Sequence, residues 1–211
     1  MKIKTENILT GILVICVVIV TFLFLRKEFA GKTEISYKVV DNWEELIPAD
    51  EREKGSISKA YLIEFFDYEC PYCNVVDTVL DSIQSKYDAK IKIVRYHFPL
   101  NMHPSAYKAA IAAECARDQG MFESYHQELM INQYRLSSID FNDIAILIGI
   151  KDLNKFQMCI DNEEPAGVIS RNVQLAKRIG VNGTPTLIIN NKMISGVIEV
   201  DEIDRIIKNI F

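Results

Sequence analysis

Cys70-Pro71-Tyr72-Cys73 stands between an apolar run, Ala60 to Phe66, and a stretch in which Val75, Val76, Val79, Leu80 and Ile83 recur at helical spacing. A strand that turns directly into a helix, with two cysteines at the junction, permits few architectures. Cysteines at i and i+3 meet on one face of the first turn. There the unpaired N–H groups and the helix dipole stabilise an anion, which lowers the pKa of Cys70 and makes it the attacking thiolate. Cys73, one turn in, is expected to be more buried and to close the disulfide. Pro71 lacks only a donor that the first turn does not use.

A lone C-x-x-C is a weak signal, and zinc binding and coincidence stand beside redox chemistry as readings of it. Zinc wants two more ligands at comparable spacing. No second C-x-x-C exists, and His97, His103 and His126 form no ligand pattern. The expectation is therefore a redox dithiol with no metal and no cofactor, the histidines being scaffold. Two neighbours fit that chemistry. Thr184-Pro185 lies in a turn before a strand, where the X-Pro bond is either an ordinary trans turn or a cis bond that offers a backbone edge to a peptide. Glu64 interrupts the apolar run six residues before Cys70. It is either a buried carboxylate that relays protons to Cys73 or an edge residue facing water.

The elements order themselves around this junction. Ile91 to His97 alternates as a second strand, so the first part reads as a right-handed βαβ unit. From Ser105 to about Ile179 the chain reads as successive helices: Ala106 to Arg117, Phe122 to Ile131, Ile139 to Ile148, Lys155 to Ile160, and Val168 to Ile179, closed by Gly180. A hairpin follows, Thr186 to Ile189 and Lys192 to Val197 about an Asn190-Asn191 turn, then a helix from Asp201 to Ile210. The fold class is α/β: a βαβ half and a ββα half sharing one sheet, with residues 105–179 inserted between them as a lid.

Ahead of this domain, Ile8 to Leu25 is an uncharged run of 18 residues. At about 1.5 Å per residue it nearly spans a hydrocarbon core of roughly 30 Å. Arg26, Lys27 and Glu28 follow at once rather than a small-residue cleavage site, which favours an uncleaved membrane anchor over a cleaved signal peptide. Ile15 before Cys16 disfavours a lipid-attachment site. Residues 1–25 are thus read as the anchor, 26–54 as a polar linker able to contribute one edge strand at 35–40, and 55–211 as the folded domain. Lysines and arginines flank the run on both sides, so charge does not orient it. Net charge is −5; residues 1–30 hold four Lys/Arg against two Asp/Glu, so the remainder carries −7. An acidic body without a basic stripe excludes nucleic acid as a partner.

FFDYECPYC, YHFPLNMHPSAYKAA, ECARDQGMFESYH and IGVNGTPTLIIN resemble the DsbA-like thiol:disulfide oxidoreductases of the thioredoxin superfamily. The likeness runs from about Tyr61 to the C-terminus. It implies a thioredoxin fold with a helical insertion, Cys70 as exposed nucleophile, Cys73 as resolving cysteine, Pro185 as the cis-proline after Thr184, and Glu64 as the buried acid. It also implies a domain outside the cytoplasm, on the periplasmic or extracellular side of a single-pass anchor through residues 8–25. The partners implied are reduced exported proteins and a membrane quinone-linked oxidase of the DsbB or VKOR type. Two residues depart from the best-known oxidants, Tyr72 where they carry His and Thr184 where they tend to carry Val. A Pro-Tyr pair with Thr before the proline also occurs in glutaredoxins and DsbG-type reductase/isomerases, which have a dimerisation domain. Residues 26–54 are too few for one. A monomeric oxidase is therefore favoured, with a reductase/isomerase as the alternative and a zinc- or protein-binding module third. Cys115 and Cys159 fall in the inserted block. They are either a structural disulfide, as some relatives have, or two buried free thiols; the disulfide is favoured.

Overall fold

The computed structural model describes residues 5–30, 36–49, 52 and 59–211. They divide into two compact units, 1–36 and 37–211. The first holds helix α1, Thr5–Ala30. Its described side chains, at positions 10–24 and 26, are exposed, Ile12, Val18 and Phe22 among them. Among the described residues no helix is long and apolar enough to cross a membrane. The apolar run 8–25 extends beyond the side chains described, although the backbone of α1 continues through it.

The second unit starts at Tyr37, not at residue 55. Residues 37–49 are more than linker: the edge strand expected at 35–40 is β1 (Lys38–Val39), paired antiparallel with a later strand, and Val40, Leu46 and Ile47 bury beside Tyr61, Phe65 and Val94. Three apolar anchors, with Trp43 partly buried against Tyr61, hold a segment in which Asp41, Glu44 and Glu45 face water.

The sheet has five strands in the order β1-β5-β4-β2-β3. β2 (Ala60–Phe66) runs parallel to β3 (Ile91–His97), with Glu64 opposite Arg95, and antiparallel to β4 (Thr186–Ile189). A strand with neighbours on both edges and layers on both faces has no polar side, and all seven residues of β2 are buried. The reading of Glu64 as a water-facing edge residue is thereby corrected. β4 turns into β5 (Lys192–Ser195) through Asn190, whose φ of 51° asparagine tolerates and whose Oδ1 accepts the Tyr61 N–H at 2.8 Å.

Helix α2 (Pro71–Tyr87) buries Cys73, Val76, Asp77, Val79, Leu80 and Ile83. Val75, read as part of that stripe, is 47% exposed, because 100° per residue turns it off the 73–76–80–83 line. Between β3 and β4 come α3 (Ala106–Arg117), α4 (Phe122–Ile131), α5 (Phe141–Leu147), α6 (Leu153–Asp161) and α7 (Ala166–Ile179). Asp140 and Asp152 cap α5 and α6, accepting from Asn142 N and Lys155 N, and Gly180 closes α7 at φ 86°. Cys115 and Cys159 form a disulfide that joins α3 to α6. The insertion is not a separable lid. Ala109, Ala113, Tyr125, Leu129 and Phe156 share one buried cluster with Phe66, Tyr68, Cys70 and Cys73. The last helix, α8 (Val200–Lys208), opens with a capping box of Glu199 and Glu202 and packs Ile203, Ile206 and Ile207 inward.

Candidate active site

Cys70 is the N-cap of α2, in extended conformation (φ −79°, ψ 112°), with Pro71 at N1. Its carbonyl accepts the Cys73 N–H at 2.9 Å, and its own N–H donates to Asp67 O at 3.1 Å. Cys70 and Cys73 are both free thiols. The Cys73 thiol bonds the Cys70 sulfur, and this bond, with a further one from Thr184 and the N–H groups of Tyr72 and Cys73, lowers the Cys70 pKa to about 5 against the opposing effect of burial. Cys70 is 4% exposed. That corrects the expectation of an exposed nucleophile: the side chain is tucked beneath the Thr184 carbonyl, to which the thiol donates at 3.3 Å.

In that protonation state Thr184 Oγ1 is buried without a partner. The Thr184 side chain is nonetheless among the causes that lower the Cys70 pKa, so its hydroxyl is assigned as a donor to the ionised sulfur. The Thr184–Pro185 peptide is cis. Tyr72, by contrast, is 62% exposed and points its ring to solvent.

Cys73 is fully buried, and burial above all pushes its thiol up, with Cys70 and Glu64 adding in the same direction. Asp67 N–H donates to its sulfur at 3.5 Å. The two thiols are thus split apart, one ionised at neutral pH and one held protonated, as attack and resolution require. Glu64 is 0% exposed, and burial raises it to about 8, with Arg95 pulling the other way. Its nearest charge partner is Arg95 Nε at 3.6 Å, and neither carboxylate oxygen has a hydrogen bond.

Arg95 leads to residues that sequence reasoning did not single out. Its Nη2 meets Asp77 Oδ1 at 2.9 Å and its Nη1 meets Glu123 Oε2 at 3.0 Å. Asp77 also takes His126 Nε2 at 3.0 Å, and Tyr68 OH lies 3.1 Å from His126 Nδ1. With Asp77 accepting at Nε2, the neutral tautomer that receives the Tyr68 hydroxyl at Nδ1 satisfies both nitrogens; burial accordingly lowers the pKa of His126. His97 pairs with Glu114 at 2.8 Å, and His103 with Asp67 at 2.8 Å. The histidines therefore fasten the framework around the dithiol.

The loop before Cys70 is tied down from both sides. Asp67 accepts from Glu69 N and Leu100 N, and Glu69 accepts from Ser105 N (2.5 Å) and Ala106 N (2.9 Å) at the start of α3. Gln133 Nε2 donates to Tyr68 O and Cys70 O. A cleft of about 550 Å³ lined by Arg95, Tyr96, Glu114 and Arg117 contains neither cysteine of the dithiol and is not this site. Among the described residues, donor atoms at metal-like spacing occur at Asp118, Cys159 and Glu164, where the Cys159 sulfur is committed to its disulfide.

Two thiols of opposed acidity on a thioredoxin-type sheet exchange disulfides, and that chemistry defines the class as thiol:disulfide oxidoreductase. Residues 56–209 match the Thioredoxin family, and the chain belongs to it, with a DsbA-like fold. A thioredoxin-like oxidoreductase from Silicibacter pomeroyi is 27% identical, with a TM-score of 0.59 over 72% of this chain and 88% of that one. Oxidised BdbD from Bacillus subtilis shares the fold at 21% identity, with a TM-score of 0.65 over 72% and 88%. The Na(+)/H(+) antiporter NhaA 3 of Salinispora tropica is 30% identical over 151 residues, 71% of this chain and 23% of its own length. The chain spans less than a quarter of the curated relatives it matches.

Proposed function

We propose that this chain is a membrane-anchored, extracytoplasmic oxidase that introduces disulfides into reduced exported proteins through Cys70 and Cys73. The observation that carries the reading is Cys70 at the N-cap of α2, with its pKa lowered to about 5. A stabilised thiolate favours the reduced dithiol and so makes its disulfide a ready oxidant. A substrate thiolate attacks the Cys70 sulfur of the disulfide, and Cys73 leaves as a thiolate that takes a proton relayed by Glu64. The substrate's second thiolate then attacks the substrate sulfur of the mixed disulfide, expelling Cys70 as its thiolate and releasing the oxidised substrate.

Exposed apolar side chains support a polypeptide substrate. Tyr72 and Val75 flank the dithiol on α2, and Met102, Ile131 and Tyr134 are exposed next to His103, Met130 and Gln133, which touch Asp67, Asn74 and the Cys70 carbonyl. Anchorage through residues 8–25, orientation with the domain outside, action as a monomer and reoxidation by a DsbB- or VKOR-type quinone-linked oxidase belong to the same proposal. The uncharged run 8–25 supports the anchor. Tyr72 and Thr184, where the best-known oxidants carry other residues, keep a reductase/isomerase as the second reading.

Equilibration against glutathione decides the direction. A reduction potential near about −120 mV supports the oxidase, and one near about −230 mV or below transfers the reading to reductase/isomerase. Cys73→Ala is expected to trap mixed disulfides through Cys70, and protease protection of the domain in intact cells would refute the outward orientation.

A further inference from the structure

We propose that Gln133 is a positioning residue for the dithiol, its side-chain amide spanning the carbonyls of Tyr68 and Cys70 and holding the peptide that carries the attacking sulfur. The inference rests on the reading of Cys70 as that sulfur. Gln133 opens a 3-10 turn, Gln133–Arg135, after α4, and is half-buried between the exposed Ile131 and Tyr134. On such a segment a glutamine ordinarily solvates. Here Nε2 donates to Tyr68 O at 2.8 Å and to Cys70 O at 2.7 Å, so both amide protons go to the loop of the dithiol.

The Cys70 carbonyl already accepts the Cys73 N–H at 2.9 Å. Two donors therefore fix its direction, and with it the aim of the Tyr72 and Cys73 N–H groups that bond the sulfur. The amide's positive end also lies at the carbonyl of the residue that carries the thiolate. A second tie crosses the same junction, Asn74 Nδ2 to Met130 O at 3.0 Å, but it touches no atom of Cys70. That makes Asn74 the comparator for mere looseness between α2 and the insertion.

The test uses the full chain, with Gln133→Met, which keeps length and bulk but has no donor, and Asn74→Ala. The readouts are the pH titration of Cys70 by thiolate absorbance, the equilibrium with glutathione, and thermal unfolding. In Gln133→Met the titration is expected to rise by about half a unit to one unit, a roughly three- to tenfold change in thiolate equilibrium. The glutathione equilibrium should move in step, towards a less oxidising disulfide, while Asn74→Ala leaves both in place. An unchanged titration in folded Gln133→Met overturns the proposal, as does an equal shift in Asn74→Ala. Should Gln133→Met not fold, Gln133→Asn, which reaches one carbonyl at most, must show a smaller shift in the same direction; no shift overturns the proposal equally. If Cys70 of the unaltered chain titrates as an ordinary thiol, it is the proposed function that fails, and that result is read before any variant.

Discussion

Thr184→Val isolates the hydroxyl that the reduced site leaves without a partner. Valine is close to isosteric with threonine, so the wall against Cys70 keeps its shape. Two effects then act with one sign. The ionised sulfur loses a donor, and a hydrogen bond to a charged group contributes about 1.5–3 kcal/mol, or about one to two pKa units. The thiol form is meanwhile relieved of a buried, unbonded oxygen. Cys70 should therefore move from about 5 to roughly 6–7. The disulfide does not titrate, so at pH 7 the reduced form alone loses stabilisation. At about 30 mV per unit for a two-electron couple, the potential should fall by roughly 30–50 mV. The sign is checked by pH. A depressed pKa stabilises the reduced protein above it and ceases to do so as pH falls through about 5, so the gap between variant and parent should narrow there. Thiolate absorbance against pH, together with glutathione equilibration, measures both quantities. A variant whose Cys70 titrates within a few tenths of a unit of the parent refutes the assigned role of the hydroxyl.

Glu64→Gln should flatten a pH dependence. Because Glu64 is raised to about 8 from 4.5, its contribution to stability is full below pH 4.5 and is lost as pH rises towards about 8. Denaturant unfolding of the oxidised protein, in which Cys70 does not titrate, should show this decline in the parent and a weaker one in the variant. Arg95→Met should destabilise by about 3–5 kcal/mol, since it strands Asp77 in the interior, and should raise Glu64 further, since Arg95 opposes its burial; a change below 1 kcal/mol in the same unfolding assay would contradict it. Cys115→Ser with Cys159→Ser opens a loop of 44 residues and should cost about 4 kcal/mol on the loop-entropy account, without moving the Cys70 titration. Thermal unfolding that is unchanged in this double variant would show the disulfide to be dispensable.

What was legible in the sequence is what is local. The strand–dithiol–helix junction, the X-Pro before β4 and the lone acid in β2 are each signalled within a few residues, and the thioredoxin-type order of elements follows from them. The edge strand at 35–40 was legible from its alternation, but the burial of Leu46 and Ile47 was not, because a 3-10 turn carries neither a period of two nor of 3.6. The charge network was not legible, for a different reason. Asp77 carried a signal, as a carboxylate on the inward face of α2 one turn after Cys73, and such a group demands a partner. Nothing nearby in sequence names that partner. Arg95 reaches Glu64 only through the parallel register of β2 and β3, and His126 meets Asp77 across 49 residues. Gln133 lies 63 residues from the carbonyl it holds. The contacts of His126 and Gln133 exist because the insertion folds back into the same buried cluster as the dithiol. A C-x-x-C at a helix N-terminus would lower a thiol's pKa on any such scaffold. Glu114, Glu123, His126 and Gln133, which brace the framework around it, come from α3, α4 and the turn after α4, so the frame that holds the dithiol is a property of the insertion as much as of the motif.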